Sequence, residues 1–254
     1  MRRPYSIRLF NYDSTSGGIK VMYGLYGALL GKGEEVVSNA IYNPEVDSVG
    51  IYPEISHGNE LIAKHVVRYI LNKPGVMSSN GIPGPESFDK TDLLFTFSKM
   101  FMDLPDEQCL FLPIINLEVF KDLGRKRTKR AVFQGKGVNT NQHDPNAIVI
   151  NRELARDQQK LAEILNECTV LYTYDPVSAM TEVARLCGCM VTYLSRDYTR
   201  EDYLRYEPGV NGMSFPDDKD VSPLDSKAFR EHYNGLYAQF WDVSLPNFIR
   251  ITQQ

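Results

Sequence analysis

The chain has 254 residues, 43% of them hydrophobic and 24% charged, with a formal net charge of −4 and a pI of about 5.6. This composition is that of an ordinary globular protein whose length buries one large core or two small ones. The negative balance argues against binding along a nucleic-acid backbone.

The first predicted element is a strand over residues 5–11, followed by a turn at Asp13 to Gly18. Apolar residues at 19, 22, 25, 26, 29 and 30 then recur at helical spacing, and the helix ends near Gly31-Lys32-Gly33. Strands are predicted over residues 35–42 and 49–52, a helix over 61–71 stopped by Lys73-Pro74-Gly75, and a Gly/Pro/Ser-rich loop over 76–90. Two further strands, 92–97 and 109–115, close this half, and a linker covers about 118–129.

The second half opens with a strand into a glycine turn, Ala131 to Gly137, then a strand over 147–150 and a charged helix over 152–166. A buried strand over 168–174 leads into Asp175-Pro176, a helix-start signal in which Asp175 caps free N–H groups and Pro176 occupies the first position. That helix stops at Gly188 and a strand follows over 190–194, so the unit is a parallel βαβ crossover. Residues 195–222 are polar and turn-rich, a last helix spans about 225–241, and a polar tail ends the sequence. The predicted class is α/β, with each half its own small unit.

Four cysteines make no metal-ligand spacing, because Cys187-Gly188-Cys189 is C-x-C and no histidine pair lies near it. They read as reduced thiols. With no signal peptide behind Arg8 and Asn11 and no apolar run of about 18 residues, the expected location is the cytoplasm. The basic cluster from Arg125 to Arg130 reads as a solvated connector, with attraction to a polyanion or an anionic membrane surface as the alternative.

Chemistry is expected at the carboxyl ends of the strands. Gly17-Gly18 and Gly135-Lys136-Gly137 each follow a first strand, and a cation on such a turn is placed to meet a phosphate. Ser178 and Glu182, four apart on the 175–188 helix, share a face near its positive end. A carboxylate flanked by Ala179, Met180, Val183 and Leu186 needs hydroxyl or cationic partners, which a sugar supplies. Both turns lack the dinucleotide and P-loop fingerprints, which disfavours a nicotinamide-dependent dehydrogenase.

The segment YDPVSAMTEVARLCGCMVTYL resembles the donor-binding segment of GT-B glycosyltransferases, usually written E…GLPxxEAxxCGxPVV. SGGIKVMYGLYGALLGKGEEV resembles that family's opening glycine loop and first helix, and VFQGKG resembles the start of its second domain. The resemblance spans nearly the whole chain in order, and it implies two Rossmann-like domains facing across a cleft, over residues 1–120 and 130–227, with a helix over 228–254 packing back toward the first. It implies transfer of a sugar from a UDP, GDP or dTDP donor to a glycan acceptor, without a metal or other cofactor, without nucleic acid, and with at most peripheral membrane contact.

Carried onto this sequence, the resemblance makes Glu182 the ribose ligand and Ser178 the holder of the distal phosphate. Lys136 neutralises the diphosphate, Gly17 and Gly18 admit the phosphates and sugar, and the backbone at Ile150 and Asn151 faces the base. The family's upstream Glu falls on Tyr174, with Asp175 as a substitute beside it. Glu54 and His57 lie where a general base for an acceptor hydroxyl belongs, with Asp13 a weaker candidate. Asp218-Lys219-Asp220 matches the D-x-D of metal-dependent transferases, but in a polar loop with no preceding strand. Two other readings stand beside transfer: an epimerase-like enzyme acting on the nucleotide-sugar, and a non-catalytic glycan-binding module.

Overall fold

In the computed structural model, residues 2–79, 81–218 and 223–254 are described. The chain divides into two units, residues 1–114 with 236–254 and residues 115–235.

The first unit holds a five-stranded, all-parallel sheet in the order β2-β1-β3-β4-β7. Its strands are β1 (Tyr5–Ile7), β2 (Val36–Ser38), β3 (Val49–Pro53), β4 (His65–Ile70) and β7 (Leu93–Thr96), with a small hairpin of β5 (Ser78–Ser79) and β6 (Ile82–Pro83). Helix α1 (Gly17–Gly31) buries Val21, Met22, Leu25, Ala28 and Leu29, a face that shares Met22, Leu25 and Leu29 with the predicted one, while Leu30 is exposed.

The helix predicted over 61–71 is instead β4, flanked by the other strands. Val66, Val67, Tyr69 and Ile70 are β-branched or aromatic and favour a pleated, buried surface. Ile62, with φ at 53°, bars a helix from passing through it. The strand predicted over 109–115 is reduced to one bridge, Cys109 with Thr96, and extended chain. The polar tail predicted after Trp241 is also a helix: a π-helical turn, Phe240–Ser244, leads into a segment that buries Leu245, Phe248 and Thr252. Phe248 packs against Tyr5 and Phe95 at 6.3 and 4.7 Å between ring centres.

The second unit holds another five-stranded parallel sheet, in the order β12-β11-β10-β8-β9. Its strands are β8 (Lys129–Phe133), β9 (Ile148–Ile150), β10 (Cys168–Thr173), β11 (Met190–Tyr193) and β12 (Met213–Ser214). The charged helix predicted over 152–166 is split into α2 (Arg152–Arg156) and α3 (Gln158–Glu167) because Asp157 turns out of helical backbone and caps α3 through Lys160 N–H. Crossovers from β9 onward carry α2 and α3, then α4 (Met180–Leu186), then α5 (Arg200–Leu204). The crossover from β8 to β9, residues 134–147, carries no helix. Helix α6 (Ser226–Gln239) follows, and α7 (Leu245–Thr252) is the tail segment just described.

Every residue of α4 is buried, Glu182 and Arg185 among them. Cys168, Cys187 and Cys189 are buried free thiols and Cys109 is half-buried. Burial pushes Cys168 up to about 11 and Cys187 up to about 12, and raises Cys189 well above the usual range. Native protein treated with an aromatic disulfide reagent at mildly alkaline pH is therefore expected to react at Cys109 alone, with the other three released only by denaturant. Fast labelling of more than one thiol in the native state contradicts this.

Candidate functional site

At the carboxyl edge of the second sheet, the chain after β8 and the chain after β10 are locked together. Lys136 N–H donates to Asp175 Oδ2 at 3.1 Å, and Val177 N–H donates to Asp175 Oδ1 at 3.1 Å. Asp175 is buried, which raises its carboxyl above the usual range while the charge of Lys136 pulls it back down. A Cβ on Gly135 lies 1.9 Å from Asp175 Oδ2, and one on Gly137 lies 1.5 Å from the carbonyl oxygen of Tyr174. Gly137 admits the Tyr174 backbone and Gly135 the Asp175 side chain, and Gly135 takes a left-handed φ of 57°. The Lys136 side chain stands exposed on the turn between them.

Asp175 is thus not the cap of the following helix, a correction to the sequence reading. Its oxygens are taken by two loop amides, and α4 begins only at Met180, after Ala179, with no side-chain cap. Ser178 Oγ accepts from Met180 N–H at 3.1 Å, and the serine carbonyl accepts from Thr181 N–H at 3.1 Å. The half-buried hydroxyl organises the turn into α4. Ile150 is buried at the end of β9, and Asn151 caps α2 by accepting from Leu154 N–H at 2.8 Å.

Glu182 is the larger correction. It is 2% exposed; Tyr206 donates its hydroxyl to Oε1 at 2.7 Å and Tyr233 to Oε2 at 3.1 Å. The hydroxyls that its apolar flanks demand come from tyrosines of the same unit, where the sequence reading expected a sugar. Arg185, one turn on, is fully buried, donating from Nε to the Thr181 carbonyl and from Nη1 to the carbonyls of Gly209 and Asn211, with Phe229 under its plane at 4.1 Å. Burial pulls its guanidinium down to about 10, and the Glu182 charge opposes that pull.

In the first unit, Gly17 and Gly18 are not a loop but the first turn of α1, capped by Ser16. A Cβ on Gly17 meets nothing within 4 Å, and one on Gly18 comes within 3.5 Å of Leu71. Leu71 N–H donates to Glu54 Oε2 at 3.0 Å, so Gly18 and Glu54 share this edge of the sheet. Glu54 is 4% exposed and serves the strand ends, which corrects its candidacy as a general base. Asp13 Oδ1 accepts from the amide and hydroxyl of Thr15 and shapes the turn before α1.

His57 is exposed, and its Nε2 lies 2.9 Å from the Pro83 carbonyl. A carbonyl only accepts, so Nε2 carries the proton and Nδ1 of the neutral ring has the lone pair. This is the arrangement a base requires.

Four of the five basic residues in the cluster are ion-paired to three carboxylates. Arg125 and Lys129 pair with Glu167, Arg127 with Asp122, and Arg130 with Asp144. Of the D-x-D sequence, Asp218 accepts from Phe215 N–H and pairs with Arg200 at 3.3 Å, while Lys219 and Asp220 lie outside the described residues.

The sequence reading missed His143. Its Nδ1 lies 3.0 Å from the hydroxyl of Tyr174, which also accepts from Gln142 N–H at 2.8 Å. The signal was a run of Asn, Gln, His and Asp after the glycine turn, with no helical period.

No family model matches the chain, and no curated protein matches it. Among solved structures it is similar to an uncharacterized protein from Klebsiella pneumoniae at 14% identity, covering 85% of this chain and 94% of that one, with a TM-score of 0.44. It is also similar to spinosyn forosaminyltransferase at 11% identity, covering 99% and 100%, with a TM-score of 0.41. A third is ADP-heptose lipopolysaccharide heptosyltransferase II from Escherichia coli, at 11% identity, 93% and 99% coverage and a TM-score of 0.35. Two of these three are glycosyltransferases. All the scores fall below 0.5, so the α/β description rests on the chain's own strand order, and no helix of the described residues is long and apolar enough to cross a membrane.

Proposed function

We propose that this chain is a nucleotide-sugar-dependent glycosyltransferase acting on a glycan acceptor, with the donor diphosphate at the carboxyl edge of the second unit's sheet. The observation that carries the reading is the Gly135-Lys136-Gly137 turn. Its backbone is fixed against Tyr174 and Asp175, and its exposed lysine stands at the sheet edge where α/β proteins bind anions. In transfer, the acceptor hydroxyl attacks the anomeric carbon as the bond to the diphosphate breaks. Lys136 takes up the charge that develops on the leaving group, which is electrostatic catalysis needing no metal.

Titration calorimetry against UDP, GDP, dTDP and their sugars tests this. One of them is expected to bind, and Lys136→Ala is expected to weaken it by about 1.5–3 kcal/mol, the range for a charged hydrogen bond. No binding to the unaltered protein at millimolar concentration sinks the proposal.

A second reading, a non-catalytic binding module, is favoured by two positions. Tyr174 replaces one carboxylate that the resemblance implies, and Glu182 is turned inside. Nucleotide binding with no release of nucleoside diphosphate in the presence of glycan acceptors supports that reading over transfer.

A further inference from the structure

We infer that the helix-free crossover, residues 134–147, is a ligand-gripping loop in which His143 donates its Nε2–H to a phosphate oxygen of the bound nucleoside diphosphate. The inference rests on the nucleotide-binding reading above and adds to it a second contact residue besides Lys136.

Loops of this length without secondary structure are uncommon inside compact units, and they are usually functional or disordered. This one is tied down along its length. Gly137 N–H donates to the Gln134 carbonyl at 3.0 Å and Lys136 N–H to Asp175. Asn139 accepts from Asn141 N–H at 2.8 Å while Asn141 takes a left-handed φ of 55°. Asp144 accepts from Asn146 N–H at 2.8 Å and pairs with Arg130. Two of its residues, Gln142 and His143, are tied to the phenol of Tyr174.

That phenol fixes the tautomer of His143. Tyr174 is 1% exposed, and its hydroxyl has one proton to place. Gln142 N–H occupies one lone pair at 2.8 Å, and the other neighbour is His143 Nδ1 at 3.0 Å. If Nδ1 carried hydrogen, the phenolic proton would be buried without an acceptor among the described residues, which costs more than the bond gains. Nδ1 therefore accepts, and the proton of the neutral ring sits on Nε2. The ring stands edge-on to Tyr174, with centres 5.8 Å apart at 77°, and is half-buried. The result is one oriented N–H donor in the same loop as Lys136, both hung on the residues that end β10.

Two substitutions separate this role from a structural one. In His143→Asn, the amide oxygen replaces Nδ1 and keeps the bond to Tyr174, but the Nε2–H donor is lost. In His143→Gln, the terminal amide restores a donor near the Nε2 position. Calorimetry with whichever of UDP, GDP and dTDP binds is expected to show His143→Asn weakened about tenfold and His143→Gln within about threefold of the unaltered protein. The unfolding midpoint of His143→Asn and its affinity for the corresponding nucleoside are expected to stay unchanged. Unaltered diphosphate affinity in His143→Asn overturns the inference, as does an equal loss in both variants or an equal loss for the nucleoside. If Lys136→Ala weakens binding and His143→Asn does not, the nucleotide reading stands and this inference alone fails. If the unaltered protein binds none of the three, both fall.

Discussion

Glu182→Ala is expected to destabilise the second unit by about 3–5 kcal/mol, the range found when one partner is removed from a buried charged network. The carboxylate accepts from Tyr206 and Tyr233, and its charge opposes the desolvation of Arg185, which is 0% exposed. Without it, Tyr206 and Tyr233 lose the carboxylate they donate to, and the buried guanidinium of Arg185 loses the charge that offsets its burial. Nη2 of Arg185 already lacks a partner among the described residues, so the site has little capacity to rearrange. Glu182→Gln removes the charge and turns one of the two accepting oxygens into an NH2 donor while keeping the other, and is expected to fall between Glu182→Ala and the unaltered protein. Urea denaturation followed by circular dichroism measures this. A ribose contact predicts a different outcome, in which Glu182→Ala unfolds like the unaltered protein but binds nucleotide weakly.

Gly137→Ala is the second large effect, a loss of about 3 kcal/mol together with loss of nucleotide binding. The added methyl lies 1.5 Å from the Tyr174 carbonyl oxygen and 2.3 Å from its carbonyl carbon, so backbone must move rather than a rotamer. Moving it separates the chain after β8 from the chain after β10, and Lys136 is displaced with it. Gly17→Ala is the informative contrast. A Cβ there meets nothing, and it occupies the first position of α1, so a gain of a few tenths to about 1 kcal/mol is expected from the lost freedom of the unfolded chain. Thermal unfolding of the two variants side by side should move in opposite directions; parallel destabilisation contradicts the close approach at Gly137.

Where local pattern and tertiary environment agree, the sequence is readable. The apolar spacing at 19, 22, 25, 26, 29 and 30 specified α1, though of these only Met22, Leu25 and Leu29 are buried, and the Gly188 stop holds at φ 77°. Residues 61–71 failed because Leu61, Val66, Val67 and Ile70 also fit a helix, and only pairing with β3 and β7 decides for a strand. The site shows the same division. The Gly-Lys-Gly turn was legible as a special backbone, but the close approach of Tyr174 and Asp175, which its two glycines permit, was not. Glu182 was legible as a carboxylate that needs hydroxyls. Their source, Tyr206 and Tyr233, lies 24 and 51 residues away and leaves no local trace.

What the sequence determined by itself is the α/β class, the alternation of strands and helices in the second half, and the positions where the backbone is special. Those properties depend on neighbours within a few residues, through periodicity, capping and turn chemistry. Tertiary structure alone decided which polar groups point inward. It made Asp175 a clamp between strand ends, Glu182 a buried acceptor and Glu54 a brace, and it placed His143 against Tyr174. The reason is the cost of burying an unpaired polar group: each such side chain takes the partners that the fold brings within about 3 Å, and those partners are set by strand order rather than by sequence distance.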